Sequence, residues 1–168
     1  MTKVRFICIG GLLTTIAVLF QAAPVFSPVV GLALSPLSTL PIAIAAVFNI
    51  SLGFTVFFSS ALILAIVSVQ ETIILLFTTG LLGIVIGLLL YRKGIIISIS
   101  FSSTTLSLGM LFLTYVAGIP AFADLAGSLS TSYTILIFFS FSLIYACFWN
   151  ICLKKFMNYF VKIKLISQ

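Results

Sequence analysis

Chemistry in a protein needs groups that titrate, donate or attack, and in these 168 residues they are scarce: eight Lys and Arg, two acids and no histidine. Without histidine there is no Ser–His or Cys–His nucleophile pair, and the two acids, Glu71 and Asp124, fall on separate predicted loops and form no dependable carboxylate dyad. No G-x-x-x-x-G-K-[ST] run occurs, so the chain does not couple ATP hydrolysis by that route, and any uphill work must draw its energy from elsewhere. Cys8, Cys147 and Cys152 match no metal-ligand spacing, and zinc sets that include histidine are excluded. The expectation is a protein that is not an enzyme, with no metal and no cofactor.

Binding is the chemistry that remains. Gln21, Ser27, Glu71, Asp124, Ser128, Thr131 and Tyr133, with Phe26 and Phe122, fall near predicted helix ends on one side of the molecule and would form the mouth of a pocket. Glu71 stands out as the acid nearest an apolar segment, since an acid held at membrane depth is a binding or protonation site by default. Thr78 and Thr79 would line a polar cavity with hydroxyls from the Ser- and Thr-rich stretch 98–107. The candidate ligand set is therefore Gln21, Glu71, Thr78, Asp124 and Tyr133. The competing reading is ordinary solvated loops and hydroxyls bonded to their own backbone.

A second kind of site needs only shape. Gly11-x-x-x-Thr15 and Thr79-x-x-x-Gly83-x-x-x-Gly87 put small residues on one face of a helix, where another helix can approach closely. Gly11, Thr15, Gly83 and Gly87 are thus candidate partner-docking residues. Packing within the chain is the alternative use of the same pattern.

The elements that must position these residues follow from composition. Hydrophobic residues make up 62% of the chain and charged ones 6%, with a mean hydropathy of +1.42, so lipid rather than water is the matching solvent. Breaks in the apolar runs predict six membrane helices at about 6–22, 29–48, 51–69, 72–91, 95–117 and 133–153. The first, although preceded by Lys3 and Arg5 like a secretory leader, is expected to stay uncleaved because Pro24 would follow the scissile bond. It should end at Ala23-Pro24, and Pro36 and Pro41 should kink or partly unwind the second, with Ser35, Ser38 and Thr39 satisfying freed backbone groups. The tail 154–168 alternates basic and apolar residues and should lie on the membrane surface.

With six spans, Lys3, Arg5, Arg92, Lys93, Lys154, Lys155, Lys162 and Lys164 share one side and both acids share the other. The positive-inside rule then makes both termini cytoplasmic. These short basic clusters leave no folded basic face for nucleic acid. The expected fold is an all-α, six-transmembrane-helix bundle forming a single domain in the lipid bilayer.

Two stretches carry a family resemblance: Leu34-Ser-Pro-Leu-Ser-Thr-Leu-Pro41, and Phe77-Thr-Thr-Gly-Leu-Leu-Gly-Ile-Val-Ile-Gly-Leu-Leu-Leu-Tyr-Arg-Lys93 ending at a basic loop. In layout the chain resembles the six-helix substrate-binding subunits (S-components) of energy-coupling-factor vitamin transporters and their relatives, including the YybS-like membrane proteins. The resemblance implies a bacterial plasma-membrane subunit that binds a small molecule in an outward-facing pocket. It implies as partners a membrane coupling subunit and ATPases. The family's Ala-x-x-x-Ala docking face on the first helix has its nearest equivalent here in Gly11-x-x-x-Thr15. The alternative function is a scaffold or assembly protein acting through helix–helix contacts.

Overall fold

In lipid the backbone satisfies its polar groups in a helix or a closed barrel, and long apolar runs without alternation select the helix. The computed structural model describes residues 3–118 and 131–166, and its six long helices are each apolar enough to cross a membrane. They are α1 (Lys3–Phe26), α2 (Pro28–Phe48), α3 (Ile50–Val67), α4 (Val69–Leu89), α5 (Ile95–Tyr115) and α6 (Thr131–Ile166). Among the described residues there is no strand.

The breaks between helices are shorter than the sequence suggests. Asn49 alone separates α2 from α3: its backbone is extended, and its side chain caps the new helix by accepting from the Ser51 amide at 2.9 Å. Ser68 alone separates α3 from α4, accepting from the Glu71 amide at 3.3 Å. The expected break at Gln70 and Glu71 therefore lies two residues too late. Both belong to the first turn of α4, because Ser68 is the residue that can cap it.

Helix α1 runs through Pro24 to Phe26 instead of stopping at Ala23. Proline so close to a helix end forfeits only one intrahelical bond, and Ala23 keeps a partner by accepting from the Ser27 amide at 2.9 Å. After α4, Gly94 takes φ of 90°, a conformation suited to glycine, and turns the chain into α5.

Two helices are irregular within the bundle. In α2 the stretch Ser35–Ser38 tightens into a 3-10 turn between two α-helical parts, so the helix is tightened at Pro36 and not unwound. In α4, Leu75–Thr79 widens into a π-helical turn, with the Gly80 amide reaching back to the Leu75 carbonyl. The widened turn pushes the Phe77 carbonyl against α5 at Gly109, where a Cβ would stand 1.8 Å from that oxygen. Phe77 and Phe112 stack beside this contact at 4.1 Å between centroids.

Two apolar clusters hold the bundle. One joins Leu13, Ala17, Ile42, Leu52, Val56 and Leu75 across α1 to α4; the other joins Ala43, Leu82, Ile86, Met110, Phe138 and Trp149 across α2, α4, α5 and α6. The second half of α2 and the body of α4 serve both, so these helices form the centre. Helix α6 continues as one helix to Ile166 where a separate surface tail from 154 was expected. Its 36 residues span about 54 Å at 1.5 Å each, well beyond a hydrocarbon core of about 30 Å, so it projects past the membrane with its Lys154 and Lys155 exposed.

Candidate functional site

A carboxamide inside a membrane bundle must find partners on other helices or leave hydrogen-bonding groups stranded in a nonpolar medium. Gln21, near the end of α1, is fully buried and finds three. Its Nε2 donates to Glu71 Oε2 on α4 at 2.8 Å. Its Oε1 accepts from Ser38 Oγ on α2 at 2.7 Å and from Thr79 Oγ1 on α4 at 2.9 Å. The partners fix the amide's orientation, since a flipped carboxamide would set its oxygen against the carboxylate and its NH2 against two hydroxyls that could no longer donate to it.

The irregular turns account for this convergence. Ser38 closes the 3-10 turn of α2, and Thr79 closes the π turn of α4. Each sits where its helix departs from regular register. Counted from the helix ends at 1.5 Å per residue, Glu71 lies about 3 Å in, Gln21 about 7 Å, and Ser38 and Thr79 about 15 Å. The network therefore descends from the helix ends toward the middle of the bundle.

Glu71 owes its availability to a local competition. Ser68-x-x-Glu71 is a capping-box pattern, in which the acid would reach back to the Ser68 amide. That amide already donates to the Leu64 carbonyl at 2.7 Å. The serine half of the box forms, and the carboxylate turns to Gln21 instead. Glu71 is 8% exposed. Among the described residues it has no ion pair, and its second oxygen carries no hydrogen bond. Above it lies an open depression of about 270 Å³ lined by Pro24, Val25, Pro28, Leu32, Ser68, Gln70 and Glu71.

The other candidates have different surroundings. Thr78 is buried, but its hydroxyl donates to the Ile74 carbonyl at 2.6 Å; it borders an apolar cavity of about 120 Å³ shared with Met110, Phe141 and Tyr145. Tyr133 is exposed on the first turn of α6 and takes no part in the network. Asp124 lies outside the described residues. Ser38 and Thr39 were expected to serve the backbone of α2. Ser38 serves Gln21 instead, and Thr39 Oγ1 is buried with no formed hydrogen bond, the Tyr145 hydroxyl approaching it without closing one. Ser38 and Thr79 are thus the site residues that the candidate set missed. Their signal in the sequence was proximity to Pro36 and Pro41 and to the Thr78-Thr79-Gly80 run, where helices lose regularity.

The stretch 98–107 divides its hydroxyls as helical geometry requires. Thr104 and Thr105 bond backbone carbonyls of their own helix, and Ser98 turns to Asn150 on α6 with Oγ to Oδ1 at 2.5 Å. Among the described residues the cavity beside Thr78 and Thr79 is the apolar one, walled on α5 by Leu106, Met110 and Leu113 and not by these hydroxyls.

The small-residue faces separate into two uses. Gly83 and Gly87 are buried against α2: a Cβ at Gly83 would meet the Thr39 carbonyl at 2.9 Å, and one at Gly87 the Ala46 Cβ at 2.5 Å. Their groove is filled by the chain itself, which corrects their assignment to an outside partner. At Gly11 a Cβ would meet nothing within 4 Å, and Gly11 and Thr15 are both exposed. They line an open groove of about 370 Å³ between α1 and α3, with Thr15 Oγ1 donating to the Gly11 carbonyl at 3.0 Å.

No family model, curated protein or solved structure matches the chain.

Proposed function

We propose that this protein is the solute-binding subunit of a small-molecule uptake system in a bacterial plasma membrane, energised by a membrane coupling subunit and ATPases carried on other chains. The observation that supports this reading is the Glu71–Gln21 pair beneath an open depression, anchored at depth by Ser38 and Thr79. Buried polar groups are costly in a membrane and mark ligand or ion sites. This one ties together three helices, α1, α2 and α4, at the end of the bundle opposite to the basic residues Lys3, Arg92 and Lys93. The positive-inside rule makes that basic end and both termini cytoplasmic, so the depression faces out and receives the solute from outside.

The open groove at Gly11 and Thr15 lies in the cytoplasmic half, where a coupling subunit would dock, as the layout shared with energy-coupling-factor S-components suggests. The same groove favours the second reading, a scaffold that assembles other membrane proteins through α1. Thermal unfolding of the purified protein against a metabolite panel separates the two. A solute-binding subunit gains stability from at least one small molecule by mass action, and a scaffold gains none.

A further inference from the structure

We propose that the depression above Glu71 takes a small organic cation, a protonated amine attached to an apolar body. This deepens the solute-binding reading and rests on it. Glu71 is more than nine-tenths buried, lines the depression, and uses one carboxylate oxygen on Gln21 while the other has no hydrogen bond. A carboxylate in such a place is stabilised by a compensating positive charge, the alternative being to take up a proton. The described chain does not supply one: Lys3, Arg5, Arg92, Lys93, Lys154 and Lys155 all lie at the opposite end of the helices, and Glu71 enters no ion pair. Gln21 contributes a neutral N–H and fixes the carboxylate in place. A ligand that brings the cation would complete the site.

The walls define the rest of the molecule. Pro24, Val25, Pro28 and Leu32 form an apolar side, while Gln70 and Ser68 stand beside the acid on the other. An ammonium group at the free oxygen of Glu71 would make a charge-assisted hydrogen bond, and a hydrocarbon or aromatic body would lie against the prolines. A volume of about 270 Å³ suits a ligand of benzylamine size.

The test uses the full chain in lipid nanodiscs at neutral pH, with thermal unfolding followed against benzylamine, benzyl alcohol, benzoate, and sodium or potassium chloride. The expected result is a saturable rise in midpoint with benzylamine and none with benzyl alcohol or benzoate. Glu71→Gln should weaken the amine's apparent affinity at least about tenfold, the loss of a charge-assisted hydrogen bond, while its carboxamide oxygen still accepts from Gln21. Leu32→Trp, at an exposed position, would fill the depression while leaving Glu71 itself unchanged and should block the amine as well. Benzyl alcohol or benzoate binding as well as benzylamine, an equal rise with the inorganic salts, or amine binding that survives both substitutions would overturn the amine class and leave the solute-binding reading intact. If benzylamine, benzyl alcohol and benzoate all fail and the metabolite panel fails too, both readings fall.

Discussion

Replacing Gln21 by methionine keeps the side-chain length and nearly the volume while deleting every polar atom that holds the network together. Three hydrogen bonds go: to Glu71 at 2.8 Å, from Ser38 at 2.7 Å and from Thr79 at 2.9 Å. Interhelical hydrogen bonds in membrane bundles average about 0.6 kcal/mol and reach about 1.7 kcal/mol, so the three together amount to roughly 2 kcal/mol, with a ceiling of roughly 5 kcal/mol. The two hydroxyls lose little, because each can turn back to a carbonyl of its own helix. Glu71 loses most, since no backbone group replaces Nε2. The assay is reversible unfolding in mixed micelles, with Ser38→Ala and the double variant completing a cycle. The double variant should cost less than the sum of the singles by about 0.6 kcal/mol, the worth of the shared bond. A Gln21→Met stability within about 0.5 kcal/mol of the parent, the range of surface changes, would refute the claim that this carboxamide ties α1, α2 and α4 together.

Other predictions probe the packing and the orientation. Gly87→Val should destabilise the bundle by about 1–3 kcal/mol through overpacking against Ala46, whereas Gly11→Val should leave stability within about 0.5 kcal/mol, both read by the same unfolding assay. Gly109→Ala should be more damaging than Gly87→Ala, because its Cβ would stand 1.8 Å from the Phe77 carbonyl and the π turn would have to straighten. With Cys8, Cys147 and Cys152 replaced by serine or alanine, Gln70→Cys should react with a membrane-impermeant maleimide in intact cells and Lys93→Cys only after permeabilisation; the reverse pattern would invert the topology.

Sequence reading recovered the six helices because lipid imposes the simplest rule, a long apolar run with all backbone bonds internal. It placed the turn at Asn49 within a residue, since a lone Asn interrupts an apolar run, and put the break after α3 too late. Ser68 closes α3 and caps α4, and its hydropathy stands out less than that of the Gln70-Glu71 pair that follows it. Gln21 and Glu71 were legible as polar residues near helix ends, but their pairing was not, since it spans 50 positions and depends on Ser68 failing to hold the acid. Thr78 and Thr79 look alike in sequence. The π turn decides that Thr79 faces Gln21 while Thr78 bonds its own helix. Gly11 and Gly83 likewise share a small-residue pattern, and only the position of α2 shows which face is filled.

The most direct test of a solute-binding subunit is native mass spectrometry of the protein released from nanodiscs after purification from its host membrane. The parent should carry an added mass of one small molecule per chain, absent from Leu32→Trp and reduced in Glu71→Gln. A parent that carries no small molecule, or carries one equally in both variants, would contradict the solute-binding reading.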